Sequence, residues 1–215
     1  MFTDLLRIFF PSDCVSCRKS LFKGEHFLCS SCELLLPYRE LNADLKGKLT
    51  IDHVNHVYAL LNFSKKGITQ SVLHEIKYKD NLKLAHHFGS MTHKLVNANY
   101  DLILPVPLHP KKERKRGYNQ ALELAKGLSS ISSIPINKSS LKKVKHTQTQ
   151  TKKNKTGRMA NVLDSFECSK INASKIILID DVVTTGSTLN ECVKTIKKNN
   201  PSIEIDILCL AYASL

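Results

Sequence analysis

The sequence contains no run approaching the ~18 uninterrupted apolar residues that a membrane-spanning helix needs. It also lacks both familiar nucleotide-loop signatures. Neither Gly-x-x-x-x-Gly-Lys-Ser/Thr nor Gly-x-Gly-x-x-Gly occurs, so neither a P-loop nor a Rossmann dinucleotide site is supported. Acids are scarce: 19 Asp and Glu stand against 32 Lys and Arg, leaving a net charge of +13. That excess points to an anionic partner, namely nucleic acid, polyphosphate or an anionic membrane surface, and says nothing about fold. Residues 1–10 are apolar but carry Asp4 and Arg7. They lack a basic leader and a small-residue cleavage site, so a short amphipathic helix packed on the main domain is expected rather than a signal peptide. With no spanning segment either, the expected location is cytoplasmic.

What is present is concentrated at residues 175–188, where Ile176-Ile177-Leu178-Ile179 ends on Asp180-Asp181 and runs through Val182-Val183-Thr184-Thr185-Gly186-Ser187-Thr188. The pattern predicts a buried strand over 175–179 delivering two acids to a sheet edge, then a turn into a helix over 187–199. Leu189, Cys192, Val193 and Ile196 fall at i, i+3, i+4 and i+7, one apolar helical face. Backbone N–H groups at a helix start lack partners, and the helix dipole favours an anion there. Gly186 sits where a tight turn and a close ligand disfavour a Cβ. Two carboxylates beside such a cradle suit a sugar phosphate, the acids accepting from ribose hydroxyls while the loop holds the phosphate.

The seven cysteines divide. Cys14-x-x-Cys17 and Cys29-x-x-Cys32 form two knuckles whose four thiolates suit tetrahedral, structural zinc with no open position. An iron–sulfur cluster also takes four thiolates, and a single Cys-x-x-Cys serves in redox pairs. Cys168, Cys192 and Cys209 read as core thiols. Residues 1–37 are expected to form this knuckle subdomain, 38–55 a polar linker, and 56–215 a mixed α/β domain. Strands are predicted over 57–63, 101–106, 141–144, 175–179 and 203–210, and helices over 68–78, 82–96 and 187–199. Tyr118, Ala121, Leu122, Ala125 and Leu128 mark another helical face. Alternating strands and helices imply an α/β fold with a doubly wound, mainly parallel sheet and ligands beyond the strands' carboxyl ends.

Further stretches complete the pattern: Leu104-Pro105-Val106-Pro107-Leu108-His109-Pro110 leading to Arg116-Gly117-Tyr118-Asn119-Gln120, then Thr147, Gln150, Arg158 and Asn161. With these, residues 176–188 resemble the phosphoribosyl-pyrophosphate (PRPP) motif of the type I phosphoribosyltransferases. The whole chain, cysteine quartet included, is similar to one branch of them, the ComF family of competence-associated phosphoribosyltransferase-like proteins with an N-terminal zinc finger. The resemblance implies roles residue by residue. Asp180 and Asp181 would be catalytic, holding ribose hydroxyls directly or through Mg²⁺-bound water. Val182, Thr184, Thr185, Gly186, Ser187 and Thr188 would bind PRPP around its 5′-phosphate. Val106, Pro107 and Leu108, with Arg116, would form the pyrophosphate loop. Thr147, Gln150, Arg158 and Asn161 would belong to a flexible loop closing over PRPP. Cys14, Cys17, Cys29 and Cys32 would hold structural Zn²⁺, and Mg²⁺ would come with PRPP.

The chain departs from the family at several points. Lys153 stands where an apolar residue is usual, and Tyr212 where a basic one is common. Many purine-type members carry an acid just before the Thr-Gly turn, as base for the incoming nucleobase. Here that position is Thr184, so a purine transferase reaction is not supported. His146 is a candidate substitute, though a lone loop histidine is more often solvated. Two functions follow. The first is a PRPP- or nucleotide-5′-phosphate-binding protein of DNA uptake in natural transformation, handling incoming single-stranded DNA beside a DNA-uptake helicase or recombination machinery. The second is an active Mg²⁺-dependent phosphoribosyltransferase with a nucleobase or amine acceptor. Residues 138–161 hold eight Lys/Arg and no acid, which favours nucleic acid. Aromatics are sparse there, and Lys111, Lys112, Arg114, Lys115 and Arg116 read equally as phosphate contacts or as a solvated face.

Overall fold

Apolar runs without alternation, such as Ile176–Ile179 and Ile207–Leu210, belong to strands covered on both faces. In the computed structural model, which describes residues 12–40, 43–96, 99–144 and 165–214, they do so. After a short helix α1 (Ser30–Leu34) the chain runs β1 (Val57–Asn62), α2 (Ile68–Tyr78), α3 (Leu82–Met91), β2 (Leu102–Pro105), α4 (Pro110–Arg116) and α5 (Gln120–Ser132). Then follow β3 (Leu141–Lys143), β4 (Phe166–Cys168), β5 (Lys175–Val183), α6 (Ser187–Asn199) and β6 (Glu204–Tyr212). Four strands form a sheet in the order β1-β6-β5-β2, every neighbour parallel. The brief β3 and β4 make a separate antiparallel ribbon.

The sheet is doubly wound. On one face Ile176, Leu178, Ile205 and Ile207 pack against Leu189, Cys192, Val193 and Ile196 of α6, the helical face its spacing predicts. On the other, Ile103, Ile177, Ile179, Leu208 and Leu210 pack against Val72, Leu73 and Ile76 of α2, Leu84 and Phe88 of α3, and Leu124 and Leu128 of α5. Helices α3 and α5 meet backbone to backbone: a Cβ on Gly89 would strike the Leu124 carbonyl, and one on Gly127 the His86 carbonyl. Cys168, Cys192 and Cys209 are buried core thiols.

Several boundaries differ from the sequence reading, each for a tertiary reason. The 82–96 helix ends at Met91 and continues as a 3₁₀ turn, Thr92–Leu95. Tyr118 precedes α5 rather than lying on it, and Leu124 takes the core position. Strand β4 was invisible because it is three residues long and finds its partner far away in sequence. The stretch 38–55, read as a linker, contributes Leu45, Leu49, Ile51 and Val54 to the core beneath α6. Their irregular spacing among polar neighbours hides them from any periodicity test.

Candidate functional site

Strand β5 runs past Ile179 and carries Asp180 and Asp181 inside the sheet, paired to β6 as far as Val183 opposite Tyr212. The sequence ended it at 179, because two acids look like a strand's end. They are tolerated because the other neighbour stops: β2 pairs only to Pro105, opposite Ile179. There the Val106 N–H donates to the Ile179 carbonyl at 2.9 Å and the chain turns away. The acids therefore line a crevice between β5 and the departing turn, at the carboxyl edge where ligands of such sheets bind.

The turn Val106-Pro107-Leu108 is pinned by Asn119, a buried residue the reading of individual sites passed over. Its Nδ2 donates to the Val106 carbonyl at 3.0 Å, and its Oδ1 accepts from Ala121 N at 3.0 Å as the N-cap of α5. Asn119→Ala removes both bonds and should cost about 1–3 kcal/mol by chemical denaturation. Just behind, α4 divides the basic run. Lys111, Arg114 and Lys115 are exposed, whereas Lys112 and Arg116 are half-buried. Arg116 donates to Gln120 Oε1 at 2.6 Å and stacks over the Tyr78 ring at 5.5 Å.

On the other side of the crevice Gly186 adopts φ +79°, left-handed backbone that favours glycine, and a Cβ there would meet Ile51 Cδ1 at 2.8 Å. Ile51, from the presumed linker, thus supports the loop from beneath. Thr185 Oγ1 and Ser187 Oγ lie 2.8 Å apart, and α6 starts with no side-chain cap. A turn of hydroxyls and an uncapped helix start make an anion cradle. Val182, Thr184 and Thr188 are half-buried beside it.

The acids themselves are unequal. Burial, and then the charge of Asp181, push the Asp180 carboxyl up to about 7, while Lys77 and Lys143 pull it back. Asp181 N donates to Asp180 Oδ1 at 2.8 Å. Lys77 of α2 places Nζ 3.0 Å from Asp181 Oδ2. Lys143, at the end of β3, sits 4.8 Å from the centre of the Phe166 ring. Burial pushes its ammonium down, against the charges of Cys192 and Asp180. No sequence pattern announced Lys77 or Lys143, since each becomes a site residue only through the packing of its element against β5. An oxygen paired to an ammonium and a carboxyl whose ionisation is pushed up by burial and by its neighbour's charge are poor Mg²⁺ ligands. The dyad does not fit a bare Mg²⁺ site. Thr147, Gln150, His146, Lys153, Arg158 and Asn161 lie outside the described residues, as does the 1–10 segment.

In the N-terminal knuckles the Sγ atoms of Cys14, Cys17, Cys29 and Cys32 lie within 4.8 Å of one another, Cys17 and Cys29 at 3.7 Å. Four sulfurs ~2.3 Å from a central zinc would stand about 3.8 Å apart, whereas a disulfide needs about 2.05 Å. Burial acts to raise Cys14, yet N–H groups of Cys17, Cys29 and Ser16 bring it down to about 6. Burial and the three neighbouring thiols push Cys32 up to about 12. One thiolate therefore forms easily and opposes the others, a conflict that a dication at the centre resolves. The four residues fit a structural zinc ion. Arg18, at φ +63° in the first knuckle, reaches Glu75 of α2 at 2.8 Å and ties the cluster to the sheet domain.

A parallel sheet whose inner strand carries paired acids beyond the end of its neighbour β2, a Thr-Thr-Gly-Ser turn and a quartet of cysteines together define a type I phosphoribosyltransferase-like protein with a zinc knuckle. Residues 114–214 match the phosphoribosyl transferase domain family. Competence protein F of Haemophilus influenzae is 30% identical over 95% of this chain and 99% of its own length. Competence protein ComFC of Bacillus subtilis is 26% identical over 92% of this chain and 82% of its own length. The DNA utilization protein YhgH of Escherichia coli K12 is 28% identical over 51% of this chain and 48% of its own length. The chain belongs to the ComF family. Among the described residues, no helix is long and apolar enough to cross a membrane.

Proposed function

We propose that this protein binds the ribose 5-phosphate portion of PRPP or of a nucleotide in the crevice, and that it serves DNA uptake in natural transformation. The observation that carries the first part is Gly186: at φ +79° and backed by Ile51, it turns the chain from the acid-bearing strand β5 into α6, whose first turn has no side-chain cap. Thr184, Thr185, Ser187 and Thr188 enclose the phosphate, Asp180 and Asp181 accept from the ribose hydroxyls, and the Val106–Leu108 turn with Arg116 faces a pyrophosphate. Mg²⁺, where it takes part, enters on the ligand's own pyrophosphate. The protein acts in the cytoplasm. The uptake role is supported by the relatives, named as competence and DNA utilization proteins. It is also supported by the +13 charge, which suits single-stranded DNA and a DNA-uptake helicase or recombination partner.

Titration with PRPP·Mg²⁺ and with single-stranded DNA, each alone and in competition, tests this. Mutual exclusion places both at the crevice, and independent binding puts DNA on the basic surface with an affinity that falls steeply with salt. Absence of PRPP binding at millimolar concentration overturns the reading. Asp181→Asn removes an acceptor and strands Lys77, and should weaken PRPP by about tenfold or more in the same titration.

Turnover as a phosphoribosyltransferase would need pyrophosphate to leave the ribose C1 through an oxocarbenium-like state. The residues that hold the ribose suffice for binding. With Thr184 in place of an acid they supply no base for a purine acceptor.

A further inference from the structure

The carboxyl edge of the sheet continues past the crevice on the side away from β2. There the ends of β6 and β1 carry Tyr212 and Asn62, paired in register with each other, and Tyr212 is paired in turn with Val183 of β5. Residues 37–39 lie along the outer edge of β1: Asn62 N–H donates to the Pro37 carbonyl at 2.8 Å, and Arg39 N–H to the Leu60 carbonyl at 3.0 Å. That short ladder fixes where the Arg39 side chain starts. It then crosses the ends of two strands. Nη1 donates to Asn62 Oδ1 at 2.6 Å, and the guanidinium lies 5.4 Å from the centre of the Tyr212 ring.

An arginine held by an aromatic ring and an amide presents a planar, permanently charged fork in a set direction. Asn62 takes Nη1 alone. The Nε–H is buried and meets no acceptor among the described residues. Buried donors are nearly always paired, so an orphan at the ligand edge of the sheet points to an acceptor that arrives from outside the chain. Arg39 only donates, and Asn62, with its Oδ1 occupied, has only Nδ2 left to offer. The matching edge of a ligand must therefore accept.

Position narrows the ligand further. Strands stand about 4.8 Å apart and rise about 3.3 Å per residue. Tyr212, one strand over and two residues beyond Asp181, is thus roughly 8 Å from it, backbone to backbone. The pyrophosphate of PRPP and the base of a nucleotide project from opposite faces of the ribose at C1. The Val106–Leu108 turn, read as facing a pyrophosphate, follows β2 on one side of β5. A base therefore points to the other side, toward β6 and β1.

We propose that Arg39, with Asn62 and Tyr212, receives the base of a nucleotide held in the crevice, and that it selects a 6-oxopurine. The proposal rests on the ribose-phosphate reading above and names the base that reading leaves open. The O6 and N7 of such a ring are adjacent acceptors that match an arginine fork. Adenine offers an amino group in place of O6, which would set donor against donor.

Calorimetric titration of the full chain with ribose 5-phosphate, inosine 5′-monophosphate and adenosine 5′-monophosphate, all in one buffer with millimolar Mg²⁺, is the test. The inosine nucleotide is expected to bind about tenfold or more tighter than the adenosine one. Arg39→Gln should bring the two nucleotides level while leaving ribose 5-phosphate within about twofold, a split that a merely structural role would not produce. Equal affinities in the wild-type protein, or a preference for the adenosine nucleotide, overturn the proposal. Ribose 5-phosphate binding alongside them leaves the ribose-phosphate reading intact. A parallel loss of all three ligands in Arg39→Gln also overturns it, assigning Arg39 to the packing of β1. No binding by any of the three removes both readings. The comparison of the two nucleotides needs no variant, so it decides whatever Arg39→Gln does to folding.

Discussion

Stripping the metal from the cysteine cluster, by chelator or by Cys32→Ser, is expected to lower the thermal midpoint by more than about 10 °C. The knuckle is not an independent appendage. Cys14, Val15, Leu28, Cys32 and Leu36 are buried in the same apolar cluster as Leu60, Leu61, Val72, Ile76 and Phe88 of the sheet domain. Cys14 and Cys32 are themselves 0% and 8% exposed, so demetallation leaves interior thiols that have lost their common partner. Structural zinc contributes on the order of 10 kcal/mol in isolated fingers. Loss of about 4–5 kcal/mol in a chain of this size shifts the midpoint by roughly 10 °C or more. A melt with and without chelator, alongside metal analysis of both proteins, checks it. About one zinc per wild-type chain, falling sharply in Cys32→Ser, is the expected result. Iron in its place would instead assign the cluster to iron–sulfur chemistry, and an unchanged melt would deny the cluster a structural role.

Asp180→Asn is expected to raise stability above neutral pH while weakening the ligand. The folded protein holds the Asp180 carboxyl up at about 7, through burial and the charge of Asp181, whereas a free carboxyl lies near the ordinary aspartate value of about 4. Between those values the folded state keeps a proton that the unfolded chain has released. Stability therefore falls as pH rises from about 4 to about 7, and the loss is complete above it. Asparagine never ionises, so the variant's advantage should be largest near pH 8 and vanish near pH 4. Allowing for the residual exposure of the side chain, we expect roughly 2 kcal/mol, or about 5 °C, at the alkaline end. Melts at the two pH values decide it: an equal shift at both would assign the gain to packing instead. A site group that destabilises its own fold is what a binding function demands of it.

Legibility differed among the elements for physical reasons. Helix α6 could be read from spacing because one face is buried and one is not, and Leu189, Cys192, Val193 and Ile196 all lie inward. Strand β5 could be read as a strand but not to its end. Its last four residues are held by hydrogen bonds to β6, a partner whose reach to Tyr212 no local pattern announces. Asp180 and Asp181 stood out as a pair, yet their difference came from packing: one is raised by burial, the other is tied to Lys77. Ile51 looked like linker and turned out to pack directly under Gly186, at the turn into α6. Arg116, named as a pyrophosphate contact, is already engaged by Gln120 and Tyr78, so a ligand must share or displace those partners.

The sequence by itself determined what is local: apolar periods, a turn that requires glycine, four thiols at metal spacing, and acids adjacent along the chain. Those properties depend on residues a few positions apart, within the reach of one helical turn or one strand. The tertiary structure alone decided where charge is compensated. Lys77, Lys143 and Asn119 approach β5 or its neighbouring turn from three other elements, and only the winding of helices over both faces of the sheet brings them together. A cradle can be encoded in fourteen consecutive residues, 175–188. Its electrostatics belong to side chains up to about a hundred positions away, because Coulomb interactions follow distance in space rather than along the chain.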